Sequence, residues 1–320
     1  MFKIKQSLDA VNYGAYFYSG NPLTMEQVVD RAARFGYEAV DLWPHRPMSF
    51  PPDLSLEARK NLLSYANDKG IKFAAVDACT NFMRSDHVLV PHTEKELLYV
   101  RSCCELARDM DCKVVRILPA FIGYFWQDYW DKGYCQTAMH SRTLEVSTQD
   151  DYLREWESVR AGIIESGNIA KEFGVTLAVQ GHPPVVNCVQ DLIDLVDEVD
   201  MENVKIGLDL PLFDHQESEY IIKIVKSIGK RMVHSHTLGV KLKHGPSGVV
   251  YASEEVIPGD GIENWLPFFK ACKEIGYEGY FAYEQCAPFL MPGHKKPTVE
   301  EFDRRQQVGF EFIKSFEEKI

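Results

Sequence analysis

The sequence of 320 residues lacks the features by which several large protein classes are recognised. It contains no Cys-x-x-Cys pair, and neither a Gly-x-Gly-x-x-Gly nor a Walker pattern follows the first predicted strand. No apolar run approaches the length of a membrane span, and residues 1–6 include no apolar stretch typical of a secretory leader. These absences disfavour a thiolate metal site, a doubly wound nucleotide-binding fold and a membrane protein, and we expect a cytoplasmic location.

Positive charge is also scarce. Lysine and arginine total 35 against 47 aspartates and glutamates, which gives a formal net charge of -12. This balance disfavours a nucleic-acid or anionic-membrane partner, because either would require a basic face. The 8 cysteines are scattered, apart from the pair Cys103 and Cys104, and are interpreted as reduced, small apolar residues. A hydrophobic content of 45% is sufficient for a large core.

A regular alternation of apolar strands and amphipathic helices runs through the chain. The predicted strands cover residues 2–8, 37–43, 71–77, 113–118, 175–180, 204–209, 230–236 and 279–284. The predicted helices cover residues 24–35, 56–68, 93–110, 150–172, 189–199, 217–228, 265–275 and 299–319. Eight strands that are each followed by a helix favour a (β/α)8 TIM barrel, which we predict as a single domain over residues 1–320.

Two predicted strand-to-helix loops are too long to be simple connectors. They span about residues 119–148 and 237–264 and should lie at the active rim of the barrel, because both leave the carboxyl end of a strand. The first is rich in aromatic residues, and Trp126 is a candidate for stacking on a sugar or on a flat aglycone. Packing within the loop, or against a partner subunit, is an equally acceptable interpretation.

The last four strands end in residues that can bind a metal ion: Gln180, Asp209, His236 and Glu284. Such groups are costly to bury unless they are paired or metal-bound, and the carboxyl ends of barrel strands share one rim. A mixed set of carboxylates and imidazole suits Mn²⁺, Co²⁺, Mg²⁺ or Fe²⁺. We therefore predict a divalent metal site at this rim, with Mn²⁺ as the expected ion.

Other polar residues near these strand ends are candidates for the chemistry. His234 faces the same way as His236 along its strand, so it could replace His236 as ligand, help to position it, or act as an acid or base. His182 follows Gln180 and is a second candidate acid or base, or a substrate-binding residue. Lys241 and Arg116 are further candidates for substrate binding.

The second half of the chain resembles the xylose-isomerase-like superfamily of barrels. The similarity lies in Gly-Leu-Asp209, Val-His-Ser-His236 and Ala-Tyr-Glu284, and in the segment Ile-Pro-Gly-Asp-Gly-Ile over residues 257–262. The superfamily includes sugar isomerases and epimerases, inosose dehydratase and metal-dependent apurinic endonucleases. The resemblance implies a metal set of Glu, Asp, His and Glu on strands five to eight.

Two departures from the family pattern bear on the reaction. Gln180 stands where the family has its first Glu, and Leu212 stands where many epimerases have the His of Asp-x-x-His. Two glutamates move the proton in the epimerases, and Gln cannot act as a base, so only Glu284 remains of that pair. The resemblance then implies metal-dependent deprotonation next to a carbonyl, through an enediolate. This leads to isomerisation or to β-elimination, as in inosose dehydratase or the large subunit of C-glycoside deglycosidases.

Two other functions are open at this point. A metal-dependent apurinic endonuclease shares the barrel, although the acidic net charge disfavours a DNA-facing surface. A non-catalytic sugar-binding barrel would keep the ligand site and lose the chemistry through Gln180. The expected partners are a small sugar or glycoside substrate, together with further copies of the chain or a small partner subunit.

Overall fold

The protein folds as a closed barrel of parallel strands surrounded by helices. The computed structural model describes residues 2–84, 92–121, 149–244, 250–286, 289, 291–293 and 295–320. The barrel strands are β1 (Gln6–Asp9), β2 (Ala39–Leu42), β3 (Lys72–Asp77), β4 (Val114–Ile117), β5 (Thr176–Gln180), β6 (Val204–Gly207), β7 (Met232–Thr237) and β10 (Phe281–Tyr283). They follow one another around the barrel in chain order, and β10 closes it by pairing with β1.

Helices alternate with the barrel strands along the chain. Those in the described residues are α1 (Met25–Phe35), α2 (Leu56–Asp68), α3 (His92–Asp109), α4 (Gln149–Phe173), α5 (Val189–Val199), α6 (Ser218–Ile228), α7 (Trp265–Glu274) and α8 (Val299–Lys314). The predicted (β/α)8 architecture is therefore confirmed, and most element bounds differ from the prediction by one to three residues. None of the helices in these ranges is both long enough and apolar enough to cross a bilayer.

Local sequence signals explain where α1 begins and ends. The Thr24 hydroxyl accepts a hydrogen bond from the backbone N–H of Gln27, whose side chain accepts one from the backbone N–H of Thr24. This capping box satisfies two N–H groups that have no partner within the helix. Gly36 ends the helix at φ 92°, a conformation that favours glycine, and the chain turns directly into β2.

The long segment that follows β7 contains regular structure that was predicted only as a loop. Strands β8 (Gly239–His244) and β9 (Val250–Val256) form an antiparallel hairpin outside the barrel. The hairpin leaves the carboxyl end of β7, so it stands at the rim where the predicted site lies. The other long loop, residues 119–148, falls outside the described residues from position 122 onward, and Trp126 with it.

Candidate metal site

Four side chains predicted as ligands converge at the carboxyl end of the barrel. Gln180 ends β5, Asp209 lies just beyond β6, His236 is in β7 and Glu284 follows β10. The Nδ1 atom of His236 is 2.9 Å from Gln180 Nε2, 3.2 Å from Asp209 Oδ2 and 3.7 Å from Glu284 Oε2. The Gln180 amide also donates a hydrogen bond to Asp209 Oδ2. The barrel thus brings polar groups from three other strands within 3.7 Å of His236 Nδ1.

The spacing of these atoms fits a divalent ion. Ligand atoms that bind a first-row divalent ion at about 2.0–2.3 Å lie roughly 3 Å from one another. The separations around His236 Nδ1 fall between 2.9 and 3.7 Å. The Gln180 amide can rotate by 180° and present its oxygen instead of its nitrogen. Among the described residues, ligand atoms of Asp9, His236 and Glu284 all lie within 4.8 Å of one another, as do those of Asp41, Asp77, His234 and His236. Asp209 Oδ2 and the Gln180 amide lie within 3.2 Å of His236 Nδ1, beside the first group. These residues can therefore hold a divalent ion through carboxylates, an imidazole and an amide oxygen.

Acidic side chains are concentrated around this point. Five buried carboxylates belong to the barrel interior: Asp9, Asp41, Asp77, Asp209 and Glu284. A buried cation, Arg116, lies among them, with its Nε 3.5 Å from Asp77 Oδ1 and its Nη2 3.6 Å from Glu284 Oε1. Among the described residues, Asp9 Oδ2 and Asp41 Oδ1 have no hydrogen-bond partner. This excess of buried negative charge is what a bound cation would compensate.

The acidic surroundings control the protonation of the ring at the centre. Burial opposes a charge on His236, but the carboxylates of Glu284 and Asp209 outweigh burial and raise the pKa of His236 well above its usual value. Burial, together with the carboxylates of Asp77 and Glu284, also raises the pKa of Asp9. Without an ion, protons compensate part of the negative charge. A divalent ion would displace the proton from His236, so ion binding should release protons.

A second set of contacts fixes the orientation of the two histidines of β7. The Nε2 atom of His236 lies 3.4 Å from Asp77 Oδ2, and its backbone N–H donates to Asp209 Oδ1 at 2.6 Å. Such a carboxylate behind a ligating imidazole selects the tautomer and holds the ring. His234 is bound in the same way through its Nε2, which lies 2.6 Å from Asp41 Oδ2.

A cavity of about 270 Å³ opens above the converging side chains. Gln180, Asp209, Glu284 and Arg116 belong to its polar lining. Its aromatic lining consists of Tyr16, Phe17, Trp43 and Phe121. A polar floor beneath aromatic walls suits a small molecule with several oxygen atoms and some apolar surface.

The remaining predicted residues occupy different places relative to this cavity. His182 lines it, with its ring centroid 5.8 Å from that of Phe121 in an edge-to-face arrangement. His234 is only 1% exposed and is not among the described residues that line the cavity, so its ring does not face a bound molecule. Lys241 is exposed in β8 and also lies away from the described lining. Trp126 lies outside the described residues.

Several residues around the site were not predicted from the sequence. Asp9 and Asp77 are the last residues of β1 and β3, and Asp41 is the third residue of β2. The rule that identified the ends of the last four strands would have found Asp9 and Asp77 had it been applied to the first half of the chain. His45 lines the cavity from the loop after β2, and no local pattern distinguishes it.

The chain is similar to known proteins along most of its length. A profile of the family described as "Xylose isomerase-like TIM barrel" matches residues 29–305. An inosose dehydratase of Geobacillus kaustophilus is 24% identical over 282 residues, which cover 83% of this chain and 81% of the relative. A D-psicose 3-epimerase of Enterocloster bolteae is 22% identical over 300 residues, which cover 90% of this chain and 86% of the relative.

Solved structures share the fold at lower sequence identity. The IOLI protein with a binding zinc atom superposes with a TM-score of 0.70 and 19% identity, and the match covers 98% of both chains. D-Psicose 3-epimerase with D-tagatose, from Clostridium cellulolyticum, superposes with a TM-score of 0.69 and 17% identity. That match covers 98% of this chain and 99% of the epimerase.

Proposed function

The chain belongs to the xylose isomerase-like TIM barrel family, and from this premise we propose that it is a divalent-metal-dependent enzyme that removes a proton next to the carbonyl of a sugar or keto-sugar. Its relatives include inosose dehydratases and D-psicose 3-epimerases. The observation that carries the proposal is the convergence of Gln180, Asp209, His236 and Glu284 beneath a cavity of small-molecule size.

The proposed ion supplies one part of the chemistry. When bound, a divalent ion would polarise a substrate carbonyl and stabilise the negative charge that develops when the adjacent C–H bond is broken. Asp209, His236, Glu284 and the Gln180 oxygen would hold it. Mn²⁺ is the expected ion, and Co²⁺, Mg²⁺, Fe²⁺ or the Zn²⁺ seen in the IOLI protein would suit the same atoms.

The proposed proton transfer depends on the few bases that face the cavity. Glu284 lines it, and its Oε1 lies 3.6 Å from Arg116 Nη2. His182 lines the cavity as well and is the proposed second acid or base. His234 has its Nε2 bonded to Asp41 and does not line the cavity, so we assign it a positioning role behind His236.

Gln180 favours elimination over epimerisation. Epimerisation by two bases requires one base on each face of the substrate, and the Gln180 amide can neither take nor return a proton. Elimination requires only one base at carbon: the C–H electrons form a C=C bond, and the substituent on the next carbon leaves with its bonding pair and takes up a proton. We therefore favour loss of water or of a glycosidic substituent from a keto-sugar as the proposed reaction.

The first experiment is to measure the metal content of protein purified without chelator. We expect about one equivalent of a divalent metal in the wild type and loss of that metal in Asp209→Ala and in His236→Ala, because each variant removes one ligand. Asp214→Ala and His215→Ala are the matched controls. Both residues lie in the segment after β6, both are exposed, and both variants should retain the metal.

Activity is then tested on the metal-loaded protein. D-Fructose, D-tagatose, an inosose and 3-keto-glycosides represent the isomerase and lyase outcomes. An eliminated product with the wild type, and none with Asp209→Ala, is the expected result. A wild type that neither contains nor takes up metal would contradict the proposal and leave a non-catalytic sugar-binding barrel. If the isolated chain binds metal but converts none of these substrates, we expect that it requires the small partner subunit proposed from the sequence.

A further inference from the structure

We infer that His45 is a substrate-binding residue, whose Nδ1 atom accepts a hydrogen bond from a hydroxyl group of the sugar. This inference rests on the proposed function, because it concerns the same cavity. It adds a contact on the wall formed by the loop after β2, away from the strands that supply the metal ligands. None of the features that identified the metal site points to this residue.

His45 is held firmly in the lining of the cavity. It lies three residues beyond the end of β2, and its ring contacts two aromatic side chains. The ring centroid is 4.6 Å from that of Trp43 and 5.5 Å from that of Tyr99, which belongs to α3. A ring that is packed against aromatic neighbours and hydrogen-bonded to one of them loses little further freedom when it binds a ligand, which favours its use as a fixed contact.

The contacts of Tyr99 determine which ring nitrogen of His45 carries a proton. The Tyr99 hydroxyl lies 3.2 Å from the carbonyl oxygen of Pro44 and 2.9 Å from His45 Nε2. A carbonyl oxygen can only accept, so the contact with Pro44 is a hydrogen bond only if Tyr99 donates its single proton there. Both contacts are then hydrogen bonds only if His45 Nε2 carries a proton and donates it to the Tyr99 oxygen. In the neutral ring, Nδ1 is left with an unshared electron pair.

The ring is neutral under ordinary conditions. Burial, together with the nearby positive charge of Arg116, lowers the pKa of His45 to about 4. At neutral pH the ring therefore carries one proton, on Nε2, and Nδ1 remains an acceptor. Among the described residues, no donor lies within hydrogen-bond distance of Nδ1. Because the residue lines the cavity, a bound molecule can supply that donor.

The surroundings of His45 also limit the class of group that can bind there. Carbonyl, carboxylate and ionised phosphate oxygens have no proton to donate to Nδ1. An ammonium group could donate, but the charge of Arg116, which already disfavours a proton on His45, would repel it. Among the groups of a sugar or keto-sugar, a neutral hydroxyl is the remaining donor. The contact therefore selects for a hydroxylated substrate at this position.

The inference can be tested by NMR on protein labelled with ¹⁵N in histidine and loaded with Mg²⁺, which is diamagnetic. The signals of His45 are assigned with the His45→Asn variant, and D-fructose, D-tagatose and xylitol are added in excess. We expect the neutral ring with its proton on Nε2 before addition, and an upfield shift of the Nδ1 signal when a sugar binds. Calorimetry on the same samples reports whether each sugar binds at all.

Two variants of nearly equal size separate hydrogen bonding from packing. His45→Asn keeps an acceptor oxygen near the position of Nδ1, whereas His45→Leu has the same shape without an acceptor. We expect sugar binding to weaken on the order of tenfold in His45→Leu and to be largely kept in His45→Asn. Tyr99→Phe should leave the residues that line the cavity unchanged but allow the ring proton of His45 to move from Nε2 to Nδ1. The NMR spectrum would show this change directly.

The possible outcomes distinguish this contact from the proposed function. The role of His45 and the proposed function are both supported if a sugar binds, shifts the Nδ1 signal, and binds more weakly to His45→Leu but not to His45→Asn. A sugar that binds without moving the Nδ1 signal, or equal binding by the Asn and Leu variants, overturns the role of His45 and leaves the proposed function intact. Failure of every sugar to bind the metal-loaded wild type overturns both together.

Discussion

Gln180 is the residue on which the proposed chemistry depends most. Its amide contacts both Asp209 and His236, so it occupies a ligand position of the candidate metal site. An amide oxygen is a weaker ligand than a carboxylate because it carries no net charge. The substitution of Glu by Gln at this point should therefore weaken metal binding as well as remove a base, and the two consequences can be separated experimentally.

The Gln180→Glu variant is expected to bind Mn²⁺ at least tenfold more tightly than the wild type, since a third carboxylate joins Asp209 and Glu284. The same variant should be less stable than the wild type in EDTA, because the donated hydrogen bond to Asp209 becomes a repulsion between acids. Calorimetric titration with Mn²⁺ and thermal unfolding with EDTA measure the two effects.

A matched control for this variant is Gln190→Glu, which changes an exposed residue of α5 in the same way. It should leave metal affinity unchanged, and the small loss of stability from its lost hydrogen bond to Asp194 should be the same with Mn²⁺ as with EDTA. Equal Mn²⁺ affinity in Gln180→Glu and the wild type would contradict the assignment of Gln180 as a ligand.

At the level of elements, the β8–β9 hairpin is tied to the barrel through the segment that leads to α7. Glu263 accepts a hydrogen bond from the backbone N–H of Val240 at 2.7 Å, and the backbone N–H of Ile262 donates to the Val240 carbonyl at 3.0 Å. The second carboxylate oxygen of Glu263 is buried and has no hydrogen-bond partner among the described residues. Burial raises the pKa of Glu263 to about 7.

This raised pKa predicts a pH-dependent attachment of the hairpin. The native carboxyl group keeps its proton up to about pH 7, whereas the unfolded group ionises near 4.5. Its contribution to stability is therefore fully present below pH 4.5 and is lost as the pH rises through 7. The loss has an upper limit of about 3 kcal/mol, since one pKa unit corresponds to about 1.4 kcal/mol.

Glu263→Gln removes the titrating proton and should flatten this dependence. We expect the free energy of unfolding of the variant, relative to the wild type, to rise by about 1–3 kcal/mol between pH 5 and pH 8. Urea unfolding at the two pH values measures the difference. Glu278→Gln, at an exposed position before β10, is the control and should show no such change. If the free energies of unfolding of Glu263→Gln and the wild type differ by the same amount at both pH values, protonation of Glu263 is not coupled to stability.

At the level of the whole molecule, closure of the barrel determines which polar side chains lie close together. Gln180, Asp209, His236 and Glu284 come from four strands and share a point only when the sheet is closed. The unfolded chain separates them, so an ion that binds all four binds the native state almost exclusively. Ion binding should therefore stabilise the entire fold.

We expect Mn²⁺ at 100 times its dissociation constant to stabilise the native state by about 2.7 kcal/mol, which raises Tm by roughly 4 °C for a chain of this length. EDTA should reverse the increase. Thermal unfolding with and without Mn²⁺ is the measurement, and Asp209→Asn, which keeps the shape of the side chain and removes its charge, should respond little. An equal response of this variant would place the stabilising ion elsewhere on the protein.

Much of the fold could be predicted because its signals are local. The junction Phe35-Gly-Tyr-Glu resembles Ile275-Gly-Tyr-Glu, and in both the glycine has a positive φ, 92° at Gly36 and 69° at Gly276. Each helix, the glycine that ends it and the strand that follows lie within about twenty residues. Each of these units can therefore be recognised from a short stretch of sequence. The hairpin after β7 was not predicted, because its pairing depends on the rim against which it packs.

The sequence by itself determined the barrel and four convergent side chains, since strand ends of a parallel barrel must share one rim. Only the tertiary structure showed that Asp77 lies behind His236 and that His234 faces Asp41 beneath the cavity. It alone paired His45 with Tyr99, which belongs to another element of the chain. The contacts of Asp77 and Asp41 depend on the inward direction of side chains across the barrel, and sequence spacing does not encode distances between strands that are not neighbours.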